Sequence, residues 1–146
     1  MRAMERDGSA MTQPLRPRRS ALYLPASNPK ALAKSRTLPV DVVILDLEDA
    51  VAPDSKLEAR QAAVAAVAEG GFGRREVVIR ANGFGTPWGT EDLAAAAAAG
   101  PDAVLVPKVS SADEVRAYHA ALARAPAHTR LWIMIETCAC LPLLHA

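Results

Sequence analysis

The sequence predicts an α/β fold in which parallel strands alternate with helices. Five apolar runs lack the alternating polar positions of a half-exposed strand, so each run is typical of a strand that is covered on both faces. Four segments of helical composition separate the runs, and charged residues follow several of them. The chain has 146 residues and is 51% hydrophobic, which is enough for one domain with its own core.

The predicted elements follow one another as strand and helix from residue 21 onward. The strands are predicted at residues 21–24, 40–47, 77–79, 103–106 and 131–135, and the helices at residues 29–35, 56–68, 91–99 and 112–124. Thr90 and Ser111 are predicted N-caps, because two acids follow each of them within three residues and favour the positive end of a helix dipole. The alanine tract at residues 94–99 is a good helix former and predicts a packed helix face.

The second strand carries the most informative pattern in the chain. At its end, three carboxylates lie within four positions, those of Asp46, Glu48 and Asp49. Function in parallel α/β folds gathers at the carboxyl ends of strands, so these acids indicate a site. The alternative is that one or two of them only cap the next turn or pair with Lys56 or Arg60.

Charge and composition exclude several classes of protein. The formal net charge is +1; five arginines and two acids in residues 1–19 give that segment +3 and leave −2 on residues 20–146. The body of the chain therefore lacks the basic surface of a nucleic-acid-binding protein. No apolar run approaches the roughly 20 residues of a membrane span, and the first residues lack the apolar block of a signal peptide. These features predict a cytoplasmic protein.

Residues 1–18 form the first predicted region, and they are predicted to be a flexible segment in which Met11 is an alternative start. The ordered domain is predicted to begin at Arg19. Cys138 and Cys140 are too close in sequence for an ordinary disulfide and have no metal-ligand partners nearby, so both are predicted to be reduced, buried thiols.

Repeated βα units leave two main architectures, a closed barrel of eight units and an open doubly wound sheet. Five strands do not close a barrel. A dinucleotide-binding open sheet normally has a glycine-rich turn after its first strand, and residues 25–29 contain no glycine. The glycine-rich stretch at residues 82–89 follows the third strand and does not match the G-x-G-x-x-G pattern, so it is interpreted as a wide turn.

Three more charged residues lie where apolar runs stop. Arg80, Lys108 and Glu136 end the third, fourth and fifth runs. Strand ends of successive βα units converge, so these residues and the acids of the second strand are expected to face one cleft. Carboxylates in such a cleft favour a hard cation such as Mg²⁺, and a forked guanidinium favours a carboxylate or a developing enolate oxygen.

Five short motifs then follow in a recognisable order. They are RS and LYLP within residues 19–25, DLEDAV at 46–51 with Lys56 and AR at 59–60, IRAN at 79–82 with Thr86 and DL at 92–93, VPKV at 106–109, and IET at 135–137. In this order they resemble the citrate lyase β-subunit and malyl-CoA lyase family of HpcH/HpaI-type aldolases over residues 19–146. The resemblance implies a TIM (β/α)₈ barrel, of which this chain holds about five N-terminal βα units as a partial barrel.

The resemblance also implies roles for individual residues. Glu136 corresponds to a Mg²⁺ ligand, and Arg80 corresponds to the residue that binds the thioester or carboxylate oxygen of the substrate. Glu48 and Asp49 correspond to acids that hold metal-bound water and orient Arg80. The implied activity is a Mg²⁺-dependent carbon–carbon lyase acting on β-hydroxyacyl thioesters such as malyl-, citramalyl- or citryl-CoA.

Tyr23 and Lys34 are implied to help bind the CoA portion of the substrate. The thiol carrier is either CoA or an acyl carrier protein, and the family implies a homo-oligomer, a trimer or a hexamer. The family's second metal ligand, an Asp after the sixth strand, falls beyond Ala146, so the chain is expected to be a truncated or split member. The alternative is a non-catalytic remnant or assembly subunit.

A partial barrel is expected to leave apolar surface open and to self-associate. The side chains predicted to line the barrel interior are those of Val43, Leu45, Val78, Leu105 and Ile133.

Overall fold

Residues 16–144 are described by the computed structural model and form one five-stranded parallel sheet in the order β1-β2-β3-β4-β5. The strands are β1 (Ala21–Pro25), β2 (Val42–Asp46), β3 (Glu76–Arg80), β4 (Ala103–Val106) and β5 (Arg130–Ile133). The helices are α1 (Pro29–Ser35), α2 (Lys56–Glu69), α3 (Gly89–Ala99) and α4 (Ala112–Ala121), with 3₁₀ turns at Pro53–Ser55 and Cys138–Leu143. The predicted alternation of parallel strands and helices is confirmed.

One of the two predicted N-caps is wrong. Helix α3 begins at Gly89, one residue before Thr90, and its N-cap is Trp88, whose side chain makes no capping bond. The loop before the helix folds back so closely that a Cβ on Gly89 would lie 2.1 Å from the carbonyl oxygen of Gly83. Only glycine fits there, and this backbone contact sets the start of α3. The second prediction is confirmed, since Ser111 Oγ accepts the backbone N–H of Glu114 at 3.2 Å.

The sheet has two different buried faces. One face packs against the helices, and its cluster includes Val43, Leu45, Val77, Ile79, Val104 and Val106. The other face carries no helix, and its cluster consists of Val42, Ile44, Val78, Ala103 and Leu105 with the partly buried Trp132 and Met134. Burial on both faces explains why the central strands lack alternation.

This division corrects the predicted barrel interior. Val78 and Leu105 lie on the helix-free face, as predicted. Val43 and Leu45 pack against the helices instead, and Ile133 lies opposite Val106 in register and is 38% exposed. A strand that is apolar at every position does not reveal which alternate set faces the helices, because shifting the set by one residue leaves the pattern unchanged.

At its N-terminal end, the helix-free face is covered by Arg18. Its guanidinium donates to both carboxylate oxygens of Glu76, at 2.6 and 2.8 Å, and lies 4.9 Å from the ring centroid of Trp132. The predictions about a flexible segment and an alternative start at Met11 fall mainly on residues 1–15, which lie outside the described residues.

The edge of the sheet formed by β5 is apolar and open. Strand β5 pairs with β4 alone within residues 16–144, and Ile135 beyond it is 41% exposed. A cavity of about 310 Å³ runs between this strand end, α4 and the C-terminal 3₁₀ turn, where Leu143 and Leu144 are also exposed. Such a surface favours association with another polypeptide segment.

Both cysteines lie in that C-terminal turn and are free. Cys140 is buried, as predicted, but Cys138 is exposed, because the short 3₁₀ helix places only one of its sides on the core. Within the described part of the chain, no helix has the length and hydropathy needed to span a membrane.

Candidate active site at the carboxyl end of the sheet

The centre of the candidate site is an ion pair between the last residues of β2 and β3. Asp46 and Arg80 lie opposite each other in register. The Nε and Nη2 atoms of Arg80 donate to the two carboxylate oxygens of Asp46, each at 2.6 Å. Asp46 is fully buried and Arg80 is 8% exposed. A buried two-point contact of this kind fixes both the position and the plane of the guanidinium.

Asp46 also organises the turn that follows β2. Its two carboxylate oxygens accept the backbone N–H groups of Glu48 and Ala50, both at 2.9 Å. Burial acts to raise the pKa of the Asp46 carboxyl, but the hydrogen bonds from Arg80 and from these two N–H groups outweigh it and hold the pKa below its ordinary value. The turn-capping alternative is therefore confirmed for Asp46, which at the same time orients Arg80.

A buried lysine also stabilises the turn that follows β2. Lys56 is 6% exposed, and its Nζ donates to the carbonyl oxygens of Leu47 and Glu48, both at 2.7 Å, and to the Asn82 side chain at 3.0 Å. Burial lowers the pKa of the Lys56 ammonium. Asn82 in turn donates to Leu47 at 2.8 Å and to Asp92 at 2.6 Å. The backbone that carries Glu48 is thus tied to the end of β3.

Glu48 lies between two cations. Its Oε1 accepts a hydrogen bond from Lys108, and its Oε2 lies 3.0 Å from Nη1 of Arg80. The Arg80 contact does not have hydrogen-bond geometry, so Oε2 is a buried oxygen without a hydrogen-bond donor among residues 16–144. A buried carboxylate oxygen in this condition fits a site that a ligand or a water molecule completes.

Lys108 connects the remaining acids. Its backbone has φ +53°, a left-handed conformation that side-chain-bearing residues rarely adopt. The backbone N–H donates to Glu136 at 2.8 Å, while Nζ contacts Glu48 and lies 3.3 Å from Asp49. The hydrogen bond to Glu48, with those to Asp49, raises the pKa of the Lys108 ammonium. Lys108 therefore contacts Glu136, Glu48 and Asp49 at the same time.

The backbone conformation of Lys108 allows a direct test of local strain. Replacement by glycine or by alanine removes the same ammonium, but only alanine keeps a Cβ in the left-handed region. We expect Lys108→Gly to be more stable than Lys108→Ala by about 1 kcal/mol in urea unfolding. In an ordinary helix such as α2, the same comparison at the exposed Glu58 is expected to favour alanine instead. Equal stability of the two Lys108 variants would contradict a strained backbone here.

Tyr23, on β1, covers the guanidinium. Its ring centroid lies 5.0 Å from the Cζ atom of Arg80, and the side chain is 43% exposed. Burial raises the pKa of the Tyr23 phenol; the charge of Arg80 opposes this, and the carboxylates of Asp46, Glu136 and Glu48 add to it. Tyr23 therefore lies within the electrostatic field of the site.

Lys34 and Asp49 are placed differently from the central residues. Lys34 is exposed in the last turn of α1, and its side chain has no hydrogen-bond or ion-pair partner within residues 16–144. Asp49 is 69% exposed and contacts Lys108 but not Arg80. The described residues contain no cluster of three or more His, Cys, Asp or Glu side chains arranged around a metal position.

Sequence reasoning missed part of this site. Asn82 and Asp92 occur within the sequence motifs but are not among the predicted site residues. Arg60 pairs with Asp92 at 2.6 Å and with Glu91 at 2.5 Å, not with the acids after β2. Asn82 follows Ala81, the first residue after β3, so a polar residue just past an apolar run is the sequence signal that identifies it. Asp92 carried no such signal, because an acid in the first turn of a helix is typical of any helix.

Comparison with known proteins places this geometry in context. The family model for the HpcH/HpaI aldolase/citrate lyase family matches residues 19–145. A (3S)-malyl-CoA thioesterase from Cereibacter sphaeroides is 42% identical over 127 residues, which are 87% of this chain and 43% of the relative. An L-malyl-CoA/β-methylmalyl-CoA lyase from the same species is 38% identical over 123 residues, covering 80% of this chain and 39% of the relative.

A solved structure gives the same picture for the fold. The CitE protein of Mycobacterium tuberculosis, in complex with magnesium, acetoacetate and coenzyme A, matches with a TM-score of 0.63 and 31% identity, over 84% of this chain and 42% of that one. The chain thus spans less than half the length of these relatives. The match confirms the predicted partial (β/α)₈ barrel.

Proposed function

Because the chain belongs to the HpcH/HpaI aldolase/citrate lyase family, we propose that it supplies the first five βα units of a Mg²⁺-dependent carbon–carbon lyase. The substrates are β-hydroxyacyl-CoA thioesters such as malyl-, citramalyl- or citryl-CoA. The observation that carries the proposal is the rigidly held guanidinium of Arg80, placed by Asp46 at a strand end beside Glu48, which Lys108 links to Glu136. A fixed cation beside carboxylates suits a reaction that develops negative charge on a thioester oxygen.

The donor set supports a magnesium site. The three side chains that Lys108 contacts by hydrogen bonds within residues 16–144 are carboxylates, the ligand type that Mg²⁺ prefers. Glu48 also presents a buried oxygen without a hydrogen-bond donor among the described residues. Glu136 would hold the ion, with Glu48 and Asp49 accepting hydrogen bonds from its water ligands. A bound Mg²⁺ would supply Lewis-acid polarisation of the substrate's hydroxyl and carboxylate oxygens.

Arg80 is prepared to stabilise negative charge. It donates two N–H groups to Asp46. Among the remaining N–H groups, one on Nη1 faces the sulfur of Met134 at 3.9 Å, and none has an oxygen acceptor with hydrogen-bond geometry within residues 16–144. When the carbon–carbon bond breaks, electron density moves toward the thioester oxygen of the acetyl fragment. The N–H groups of Arg80 that do not bind Asp46 would donate to that oxygen.

Substrate binding involves the exposed rim of the site. Tyr23 offers an aromatic face beside Arg80, and we assign it to the acyl or pantetheine portion of the thioester. Lys34, exposed on α1, is proposed to meet the phosphates of CoA or the acidic surface of an acyl carrier protein. As part of the same proposal, the working form is a homo-oligomer, a trimer or a hexamer.

A second candidate function is hydrolysis of the same thioesters. It is favoured by one observation: the thioesterase relative is 42% identical, whereas the lyase relative is 38% identical. The two reactions give different products. A lyase converts malyl-CoA to glyoxylate and acetyl-CoA, whereas a thioesterase releases malate and free CoA.

The deciding experiment assays malyl-, citramalyl- and citryl-CoA with Mg²⁺ and follows both the keto acid and the free thiol. The chain is tested alone and with an added polypeptide that carries the remaining βα units of a relative. Formation of keto acid without free thiol supports the lyase, and formation of free thiol supports the thioesterase. The chain alone is expected to turn over at background. If neither product forms in the reconstituted sample, the chain is a non-catalytic assembly subunit.

Mg²⁺ binding tests the metal assignment separately. With one direct carboxylate and mostly water ligands, we expect a dissociation constant in the millimolar range, roughly 4 kcal/mol of binding free energy. Glu136→Gln is expected to abolish the binding heat in calorimetry, and Glu58→Gln, an exposed acid on α2, to leave it unchanged. Micromolar Mg²⁺ binding that survives Glu136→Gln would contradict the assignment.

A further inference from the structure

Lys108 makes an unusual combination of contacts. Its main chain adopts φ +53° and donates its N–H to Glu136, while its ammonium contacts Glu48 and Asp49. A left-handed conformation in a residue with a side chain persists where surrounding contacts enforce it, and such positions cluster at functional sites. The side chain itself is 55% exposed and long enough to move away from Asp49 without unfolding its surroundings.

We propose that Lys108 is a built-in counter-cation that competes with the divalent metal for the Glu48–Asp49 acid pair and so sets the metal affinity of the site. This inference rests on the proposed function, because it concerns the same metal. The ammonium contacts both carboxylates that would otherwise accept hydrogen bonds from metal-bound water. Binding of the divalent cation then displaces the ammonium from Asp49, the more exposed of its two partners.

The charges around Lys108 support displacement over a purely structural role. Glu48 is only 8% exposed and already faces a second cation, Arg80, at 3.0 Å. Because Arg80 is shared with Asp46, it compensates Glu48 only in part when Lys108 moves. Asp49 is 69% exposed, so solvent compensates its charge. The incoming divalent cation therefore replaces the charge of the ammonium beside Glu48, and removal of the ammonium makes the potential near Glu136 more negative.

Lys108 contacts the proposed metal ligand and the Glu48–Asp49 pair through different parts of the residue. The backbone N–H of Lys108 holds Glu136, and its ammonium holds Glu48 and Asp49. A shift of the side chain leaves the backbone contact in place, because the two contacts come from different parts of the residue. Glu136 therefore stays positioned while the cation at Glu48 and Asp49 is exchanged.

The test measures Mn²⁺ binding to the full chain by electron paramagnetic resonance of the free ion, with no substrate present. Lys108→Met and Lys108→Gln remove the charge and keep most of the length of the side chain, and Lys108→Arg keeps the charge. Both uncharged variants are expected to bind Mn²⁺ at least about tenfold more tightly than the wild type, since a unit positive charge close to the site is removed. Lys108→Arg is expected to stay within about threefold of the wild type.

Ionic strength and Asp49 provide the matched controls. The gain in affinity is expected to shrink as salt rises, because exposed charges are screened. Asp49→Asn, which removes a negative charge from the same pair, is expected to weaken Mn²⁺ binding. Circular dichroism verifies that each variant folds. Two uncharged variants are used so that the test remains valid if one of them does not fold.

The outcomes separate the two proposals. If wild-type binding depends on Glu136 but neither uncharged Lys108 variant binds more tightly, the counter-cation inference is wrong and the metal assignment stands. If Mn²⁺ binds but Glu136→Gln has no effect, the metal assignment of the proposed function is wrong, whatever the Lys108 variants do. If Mn²⁺ binds neither the wild type nor any variant, both are overturned.

Discussion

Asp46→Asn is expected to destabilise the protein by roughly 3–5 kcal/mol, because it removes one partner of a buried ion pair. Each carboxylate oxygen of Asp46 accepts two hydrogen bonds, one from Arg80 and one from the backbone of the following turn. The amide nitrogen of asparagine cannot accept a hydrogen bond, so it would face two donors. Arg80 would also lose the charge that compensates its own burial.

Urea unfolding of the wild type and the variant measures this loss. The matched control is Asp49→Asn, which makes the same chemical change three residues later at a position that is 69% exposed. That control is expected to change stability by less than about 0.5 kcal/mol. A loss below about 1 kcal/mol for Asp46→Asn would show that the buried pair does not hold the end of the sheet.

The difference in stability between the wild type and Asp46→Asn is expected to depend on pH. The pKa of Asp46 is lower in the folded protein than its ordinary value of 3.8, so its ionised form stabilises the fold. This contribution is fully present at pH values above 3.8 and is lost as the pH falls through the lower, folded-state pKa. The stability advantage of the wild type over Asp46→Asn should therefore be constant near neutral pH and shrink in acid.

Arg80→Lys is expected to lower kcat by at least about a hundredfold in a reconstituted active form, the scale of losing one preorganised donor to a developing oxyanion. Lysine keeps the positive charge but not the planar fork that meets both oxygens of Asp46. A lysine ammonium at this position would pair with Asp46 and leave no directed N–H for the substrate oxygen.

The chain offers a close control for this substitution. Arg36 also pairs with a carboxylate, that of Glu69 at 2.9 Å, and lies 5.0 Å from the ring centroid of Phe72, as Arg80 lies 5.0 Å from that of Tyr23. Arg36→Lys is expected to leave kcat within about twofold of the wild type, because it removes no donor from the oxyanion. Unaltered turnover in Arg80→Lys would show that this guanidinium is only structural.

Several features of this protein followed from local sequence. Continuous apolar runs separated by helical segments were sufficient to predict the strands and helices, because a strand buried on both faces needs an apolar residue at every position. The position of charged residues just after those runs also predicted a shared site, since the carboxyl ends of parallel strands meet at one edge. Ser111 is a further case, because an N-cap is a contact between residues three apart in the chain.

Contacts between distant residues decided the rest. The two-point bond from Arg80 to Asp46 joins positions 34 residues apart, and the contact of Lys108 with Glu48 joins positions 60 apart. No spacing rule in one sequence encodes such pairs, because they depend on the register of neighbouring strands. For the same reason the sequence did not reveal that Val43 and Leu45 face the helices, or that the backbone of Lys108 is left-handed. Local pattern determined which residues reach the end of the sheet, and strand register determined which of them touch.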